Sequence, residues 1–466
     1  MYHLFVLAPL LTAIILNLPF RRFMKKAAFP VAATLFILQI YGVLFPAPYV
    51  RFTALADFFR FNLSADILSR VLLLSAALVL LAALLTGKHF LRHEGKLFNF
   101  ISLLLIVATG INGIALVRDI FSLYVFIEIT GVTSFILITL DKERYALEAV
   151  FNYIVLSAIA TIMMLFSIAL LLLFAGDTSF TAINAALTHG PQTFLVSFAM
   201  LMFVAALFIK GGVVPFHGWL PDAYSAAPAC VSLLLAGVVT KALGIYGLVR
   251  VVTSLSGNNF VLNQIFLLVG TVSIVVGAFA ALGQVSFKRM LAYSSISQIG
   301  YIVVGLGCGS ALGIFGAIFH LFNHSIFKST LFVNSAAVEL KTGTRSMDKM
   351  GGLAQQMPIT GITSIVSSLS AAGIPPLAGF WSKLLIIVAL WSGGHYSYAV
   401  IAVVAGVVTL AYFLMMQRKV FFGKLNEEFS GVKEAGWALT LPAIILTAIT
   451  IGVGLIFPFL PGIPKL

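Results

Sequence analysis

Fourteen apolar runs, most close to twenty residues long, divide this sequence from end to end. They cover roughly residues 3–20, 27–45, 66–86, 97–117, 120–140, 147–174, 193–222, 228–253, 261–281, 290–308, 311–338, 359–391, 398–417 and 437–459. A helix of about 20 apolar residues crosses a bilayer. Hydrocarbon leaves few alternatives, because every backbone group there must find its hydrogen bond within the protein. With 61% hydrophobic and only 9% charged residues, against about 25% charged in a soluble domain, the chain has more apolar surface than a soluble core could hide. The expected fold is an all-α polytopic membrane protein of about 14 transmembrane helices, one membrane domain over 1–466. The first run lacks a basic leader and a small-residue cleavage site, so it reads as a retained helix. The stretch 46–65 alternates apolar and polar residues and reads as extended or interfacial.

The formal net charge of +13 could suggest nucleic acid, but its placement does not. With fourteen spans, alternate loops share a side. One set holds 18 Lys and Arg residues, among them Arg21, Lys88, Arg144, Lys288, Arg289, Arg345, Lys419 and Lys424. The opposite set holds 6: Arg51, Arg60, Arg70, Arg118, Arg250 and Lys465. The positive-inside rule then puts the richer set in the cytoplasm and both termini outside it. The membrane expected is a cytoplasmic membrane of bacterial or archaeal type. The basic excess is a topology signal with some attraction for anionic lipid, and no nucleic-acid partner is expected.

Two cysteines, Cys230 and Cys308, each stand alone in an apolar run. They form no cluster for zinc or iron–sulfur and no CxxCH haem site. No GxGxxG or P-loop opens a βαβ unit. The expectation is a chain with no metal or cofactor, in which redox chemistry, if any, belongs to another subunit.

Two spans are broken by proline and glycine, IKGGVVPFHGWLPDAY at 209–224 and AAGIPPLAGFWSK at 371–383. Proline interrupts the helix ladder, and such breaks at membrane depth line cavities or lie buried in protein. As spans seven and twelve they stand five helices apart, which fits two inverted five-helix repeats, spans 4–8 and 9–13. The first would cover about 97–253 and the second about 261–417, with flanking helices in 1–86 and 437–459. Two independent proline kinks are the other reading.

Charge inside the apolar runs carries the chemistry. Lys210, Lys241, Lys328 and Lys383 lie within spans, as does the acid Glu128. An ammonium at mid-bilayer costs about 2.5–3.5 kcal/mol on insertion scales. Such a cost persists where the charge has a partner or a use. Desolvation disfavours the ammonium form, so a buried lysine can give up and regain a proton. Glu128 in YVFIEITGVTSF needs a cation, and Lys210 is the natural candidate. The functional reading is a switchable pair, with a structural staple between two helices as the alternative, and both require the same contact. Lys241 has no acid near it in sequence, which favours titration over a locked pair; snorkelling to a headgroup is the alternative. His320, His324 and Lys328 stand at i, i+4 and i+8 on one helical face. Imidazoles titrate near neutrality, so this column suits a proton relay, with metal or haem ligation and plain structural hydrogen bonding as rivals. Lys383 follows the second break, where a wet cavity would open. His217 and Asp222 flank the first break near the cytoplasmic mouth, Asp222 more as a cap or turn residue than as a relay acid. Ser294, Ser295, Ser297 and Gln298 make AYSSISQIGY polar for a span, fit to hold water or to glue helices.

With these motifs in view, the sequence resembles the antiporter-like subunits of respiratory complex I, shared with Mrp-type sodium/proton antiporters and membrane-bound energy-converting hydrogenases. The resemblance rests on KGGVVPFHGWLPDAYSAAP at 210–228, LAYSSISQIGY at 291–301, HLFNHSIFKSTLF at 320–332, TGTRSMDKMGGL at 342–353 and GIPPLAGFWSK at 373–383. It covers about residues 60–420. It implies fourteen helices with two inverted repeats. It matches Glu128 to the family's helix-five glutamate, Lys210 to the helix-seven lysine and Lys241 to the helix-eight lysine. His320 and His324 match the helix-eleven histidines. Lys383 matches a position that is lysine in most branches and glutamate in one. The sequence ends soon after span fourteen, so the member expected is one without the long lateral helix of the largest complex I relative. VELKTGTR replaces a histidine-containing form associated with antiporter branches.

The function implied is proton translocation by one pumping module of a larger complex, along Glu128, Lys210, Lys241, His320, His324, Lys328 and Lys383. Its expected partners are other membrane subunits and redox-carrying peripheral subunits. The ion is the proton, with sodium as the alternative in a Mrp-type antiporter without redox input. A third reading is a membrane anchor in an inorganic-carbon uptake module.

Overall fold

The computed structural model describes residues 2–18, 21–46, 63–91, 93–191, 193–255 and 260–460. Most of the stretch expected to be extended or interfacial, and the charges Arg51, Arg60, Arg92 and Lys465, lie outside the described residues. Among the described residues the regular structure is helical, apart from three isolated antiparallel bridges. Helices α1 to α6 are Tyr2–Leu16, Arg21–Leu44, Ile67–Phe90, Glu94–Leu116, Ile120–Ile138 and Arg144–Ala175. Helices α7 to α12 are Phe180–His189, Phe194–Gly211, Trp219–Ala226, Ala229–Leu255, Phe260–Leu282 and Phe287–Gly307. Helices α13 to α17 are Ala311–Thr342, Pro358–Ala372, Ala378–Ser392, Tyr396–Phe422 and Trp437–Ile456.

Eleven of the described helices are long and apolar enough to cross a membrane. The other expected runs fall on α1, on α13 and on the broken pair α14–α15. Helix α13 is less apolar than those eleven because its buried face carries His320, Asn323, His324, Lys328 and Asn334. Many exposed residues are large and apolar, such as Phe151, Ile162, Leu173, Val407 and Phe194. A surface of that kind suits lipid or neighbouring membrane subunits.

Packing divides the chain into two compact units. The first comprises Met1–Gly87, Leu91–Gly212 and Val238–Asn259. The second comprises Lys88–Phe90, Val213–Gly237 and Phe260–Leu466. Segment 213–237 therefore packs with the second unit, although the expected first repeat runs through it.

In the first unit, α1, α2 and α4 are joined by a buried amide network. Gln39 and Asn112 exchange hydrogen bonds at 2.9 Å, and Asn112 also donates to the Phe5 carbonyl at 2.7 Å. The end of the unit near residue 66 is held by ions. Asp66 caps α3 by accepting from the Ser69 amide at 2.8 Å. The same carboxylate takes a bidentate pair of bonds from Arg250 at 2.5 and 2.9 Å, and Arg118 approaches at 3.4 Å. Tyr246 accepts from Arg250 and donates to the Ala115 carbonyl at 2.7 Å. Arg250, counted above among the loop charges, is thus buried, with 3% of its surface exposed. Burial alone would raise the Asp66 carboxyl. The Arg250 hydrogen bonds and charge, the Ser69 amide and Arg118 outweigh it and hold the carboxyl below the ordinary carboxylate range. A lowered folded-state pKa contributes stability that is fully present above the unfolded value near 4 and is lost as pH falls through the folded value. Asp66→Asn is therefore expected to lower the thermal midpoint of the purified protein at pH 7, by about 1–3 kcal/mol of lost hydrogen bonding to a buried cation. The deficit relative to wild type should shrink below about pH 4, which thermal scans across pH would read.

In the second unit, glycines bring α11 and α12 to backbone contact. A Cβ at Gly277 would stand 2.4 Å from the Ser297 nitrogen, and one at Gly300 would stand 2.6 Å from the Gly270 oxygen. Small residues at such crossings replace the hydrophobic drive that helices lack in lipid.

Candidate functional site

The two breaks end helices in the same way. Helix α8 stops at Gly211, with Gly212 left-handed at φ 65°, and α14 stops at Ala372, with Gly373 left-handed at φ 89°. A side chain resists that conformation, so glycine is the residue that terminates each ladder. Each is followed by a cis peptide bond, Val214–Pro215 and Pro375–Pro376.

In the first unit the last turn of α8 carries Lys210, which is 1% exposed. Its ammonium donates to Glu128 Oε1 at 2.7 Å, to Ser157 Oγ at 2.8 Å and to Thr161 Oγ1 at 3.3 Å. Thr161 in turn donates to Glu128 at 2.8 Å. The expected contact between Lys210 and Glu128 is present. The hydroxyls on α6 were not foreseen, since Ser157 and Thr161 look like ordinary helix-gluing residues in sequence. Three acceptors satisfy the three donors of an ammonium, so the charge is fully bonded in this state. Glu128 is less enclosed than its partner, with 24% of its side chain exposed.

Lys241 is wholly buried in α10, where it opens the wide π turn Lys241–Ile245. The turn is one of three π segments in this helix, with Leu235–Val239 and Val251–Leu255. Three residues on, Gly244 lies against α8: a Cβ there would stand 2.3 Å from the Gly211 nitrogen. That backbone approach brings the segments bearing Lys210 and Lys241 side by side within the first unit.

The second unit holds the other column. His320, His324 and Lys328 are all wholly buried on α13. The imidazoles are near-parallel with centroids 6.2 Å apart. His320 Nδ1 meets Ser382 Oγ on α15 at 2.9 Å. Lys328 donates to the Leu291 carbonyl at 3.0 Å and to Ser294 Oγ, both on α12, and stands 5.8 Å from the centre of the Phe413 ring. Ser295, Ser297 and Gln298 are buried on the same helix. Ser295 bonds back to Leu291, whereas the Ser297 hydroxyl meets no hydrogen-bond partner among the described residues.

Lys383 donates to the Ala371 carbonyl at 2.7 Å and lies 4.4 Å from the centre of the Tyr301 ring. The His320 ring lies 5.9 Å from the same ring. Tyr301 therefore neighbours both the histidine column and Lys383, a role no spacing in the sequence announces. A cavity of about 230 Å³ opens beside Lys383, walled by Tyr301, Gly373, Phe380, Gly406 and Leu410. Its walls are more apolar than the wet cavity expected at this break.

Asp222 pairs with Arg289 at 2.6 Å, both partly exposed. His217 is half-buried in the segment between α8 and α9. Lys288, counted above as a loop charge, is 1% exposed, with its ammonium 2.9 Å from the Ala227 carbonyl and 3.6 Å from Glu339. Spacing gives no signal for this, since Arg289 shares its own face with buried Ala292 and Ile296 just as Lys288 does with Leu291 and Ser295.

The model of the family "NADH:quinone oxidoreductase/Mrp antiporter, TM" matches residues 117–409. Among curated proteins the chain is 32% identical to a Na(+)/H(+) antiporter subunit of Alkalihalophilus pseudofirmus, over 85% of this chain and 80% of that one. It is 31% identical to an NADH-quinone oxidoreductase subunit of Desulforudis audaxviator, over 82% and 77%. Among solved structures it superposes on a chain of the Mrp complex from Dietzia sp. DQ12-45-1b with a TM-score of 0.87 and 25% identity, covering 98% of this chain and 94% of that one. A chain of the membrane-bound sulfane sulfur reductase, an archaeal respiratory membrane complex, gives a TM-score of 0.86 at 29% identity, over 99% and 76%.

Proposed function

The chain belongs to the NADH:quinone oxidoreductase/Mrp antiporter transmembrane family, and from that premise we propose that it is a proton-translocating module working by switchable buried charge. It is an antiporter-like membrane subunit of complex I-type, Mrp-type or hydrogenase-type assemblies. The observation that carries the proposal is the Lys210–Glu128 ion pair at 2.7 Å. A fully enclosed ammonium there is balanced by a carboxylate that remains partly exposed. A neighbouring subunit can therefore draw on Glu128 electrostatically without entering the helix bundle. Loss of its attraction destabilises the Lys210 ammonium, and the charge change passes to Lys241, then to the His320/His324/Lys328 column, then to Lys383. Each step exchanges Coulomb attraction for solvation.

The partners proposed are further membrane subunits that present a charge near Glu128, with redox subunits supplying the drive. Relatives named as antiporter and as quinone-oxidoreductase subunits match about equally well. The driving reaction is therefore read best from what co-purifies. A redox subunit would point to a pump, and its absence together with sodium-dependent proton exchange would point to an antiporter. The distribution of basic loops supports a cytoplasmic membrane with both termini outside the cytoplasm. The testing substitution is Glu128→Gln, which keeps an acceptor for Lys210 and removes the charge. Proton movement by the reconstituted complex should fall at least tenfold with assembly intact. Wild-type rates would refute the switch.

A further inference from the structure

The second unit contains a buried lysine–carboxylate pair that the proposed charge route does not use. Lys288 is the second residue of α12, and Glu339 lies in the last turn of α13. A cation at a helix N-terminus and an anion at a helix C-terminus both oppose the helix dipole. Both nevertheless sit there, 3.6 Å apart, with Lys288 1% exposed and Glu339 21% exposed. Glu339 also accepts from Arg345 Nε at 2.5 Å. The charged and titratable groups around Lys288 are Glu339, Arg345 and Cys230, with the Arg289–Asp222 pair beside them.

Helix capping accounts for part of this cluster. Lys288 donates to the Ala227 carbonyl at 2.9 Å, and Arg345 donates to that of Ser225 at 3.3 Å, so both serve the end of α9. Capping needs a hydrogen-bond donor there. It does not need an acid in the last turn of α13, nor a lysine sealed from solvent. Further along α12 from Lys288 come Leu291, whose carbonyl holds Lys328, and Ser294, about a third of a turn round the helix, which holds it as well. The backbone rise from residue 288 to 294 is about 9 Å. A solvent-reaching acid, an enclosed amine and, further along the same helix, the two groups that hold a second enclosed amine thus stand in order.

We infer that Glu339 and Lys288 are the proton-entry pair of the second unit, loading its lysine–histidine column from the side of the basic loops. The inference rests on the proton-translocating reading above. The Glu339 carboxylate takes a proton from water and passes it to the neutral Lys288 amine, which regenerates the carboxylate and forms the ammonium. The ammonium later releases the proton along α12 toward Lys328.

Arginine separates the two roles of Lys288, because guanidinium keeps the charge and the capping bond but does not release a proton in this pH range. The complex that co-purifies with this chain would be reconstituted in vesicles. Proton movement under a potassium–valinomycin potential would be followed with a pH dye. Lys288→Arg is expected to assemble normally and to slow proton movement at least tenfold. Glu339→Gln, which keeps an acceptor for Arg345, should slow it similarly and flatten its dependence on pH on the uptake side. Wild-type rates and pH profile in either variant overturn the inference, and so does failure of both to assemble, which would make the cluster structural. If Glu128→Gln is inactive while Lys288→Arg is fully active, only the entry pair falls. If wild type moves no protons, the proposed function falls first.

Discussion

Lys241→Ala is expected to reduce ion translocation to background while the subunit still inserts and assembles. Lys241 is wholly buried in a π turn of α10. Placing its ammonium at membrane depth costs about 2.5–3.5 kcal/mol, so deleting it should not weaken the fold by the usual penalty for a lost buried contact. Its position against the Lys210-bearing helix, set by the approach of Gly244 to Gly211, makes it the next group to sense a change at the Lys210–Glu128 pair. A residue that relays charge by taking and releasing a proton cannot be replaced by one that holds its proton. Lys241→Arg should therefore be as inactive as the alanine variant. The measurement is proton movement in vesicles beside a count of assembled complex by size-exclusion chromatography. Full activity in the arginine variant would reduce Lys241 to a fixed charge. Loss of assembly in the alanine variant would make it a structural residue.

The legible parts of the molecule are those that one helix determines by itself. Apolar run length located the spans, and proline with glycine located the breaks at Gly212 and Gly373. Charge inside apolar runs located Lys210, Lys241, Lys328 and Lys383. Glu128 and Lys210 could be paired because each is costly alone and candidate partners were few. What stayed illegible depends on two helices meeting. Lys288 and Arg289 are adjacent and alike in sequence, yet one is sealed against Ala227 and the other pairs with partly exposed Asp222. Arg250 reads as a loop cation at a span end until α10 is set beside α3, where Asp66 receives it. Tyr301 carries no charge and sits in an unremarkable span. Only the crossing of α12 with α13 and α15 brings its ring near both His320 and Lys383. The partial exposure of Glu128 is also a property of packing, and the proposed coupling to a partner subunit rests on it.

Lys383→Ala should block proton release while leaving charge movement within the first unit intact, because Lys383 stands last on the proposed line and beside the second break. Three contacts define its position: the Ala371 carbonyl at 2.7 Å, the Tyr301 ring at 4.4 Å, and the cavity of about 230 Å³ along the same wall. The Ala371 carbonyl belongs to the last turn of α14, where helical carbonyls have no partner of their own. The lysine therefore also caps that helix. Truncation should cost about 0.5–1.5 kcal/mol for the lost bond, a modest destabilisation distinct from loss of transport. Lys383→Arg restores a donor to Ala371 and keeps the cation over Tyr301, but it withholds the proton. It should recover the stability and not the release. Single-turnover charge movement in reconstituted vesicles separates an early phase, carried by Glu128, Lys210 and Lys241, from a late phase that ends in release. The expected record for both Lys383 variants is a normal early phase and a missing late one. Equal loss of both phases would show that Lys383 acts on the whole line, and a normal late phase would show that protons leave without it.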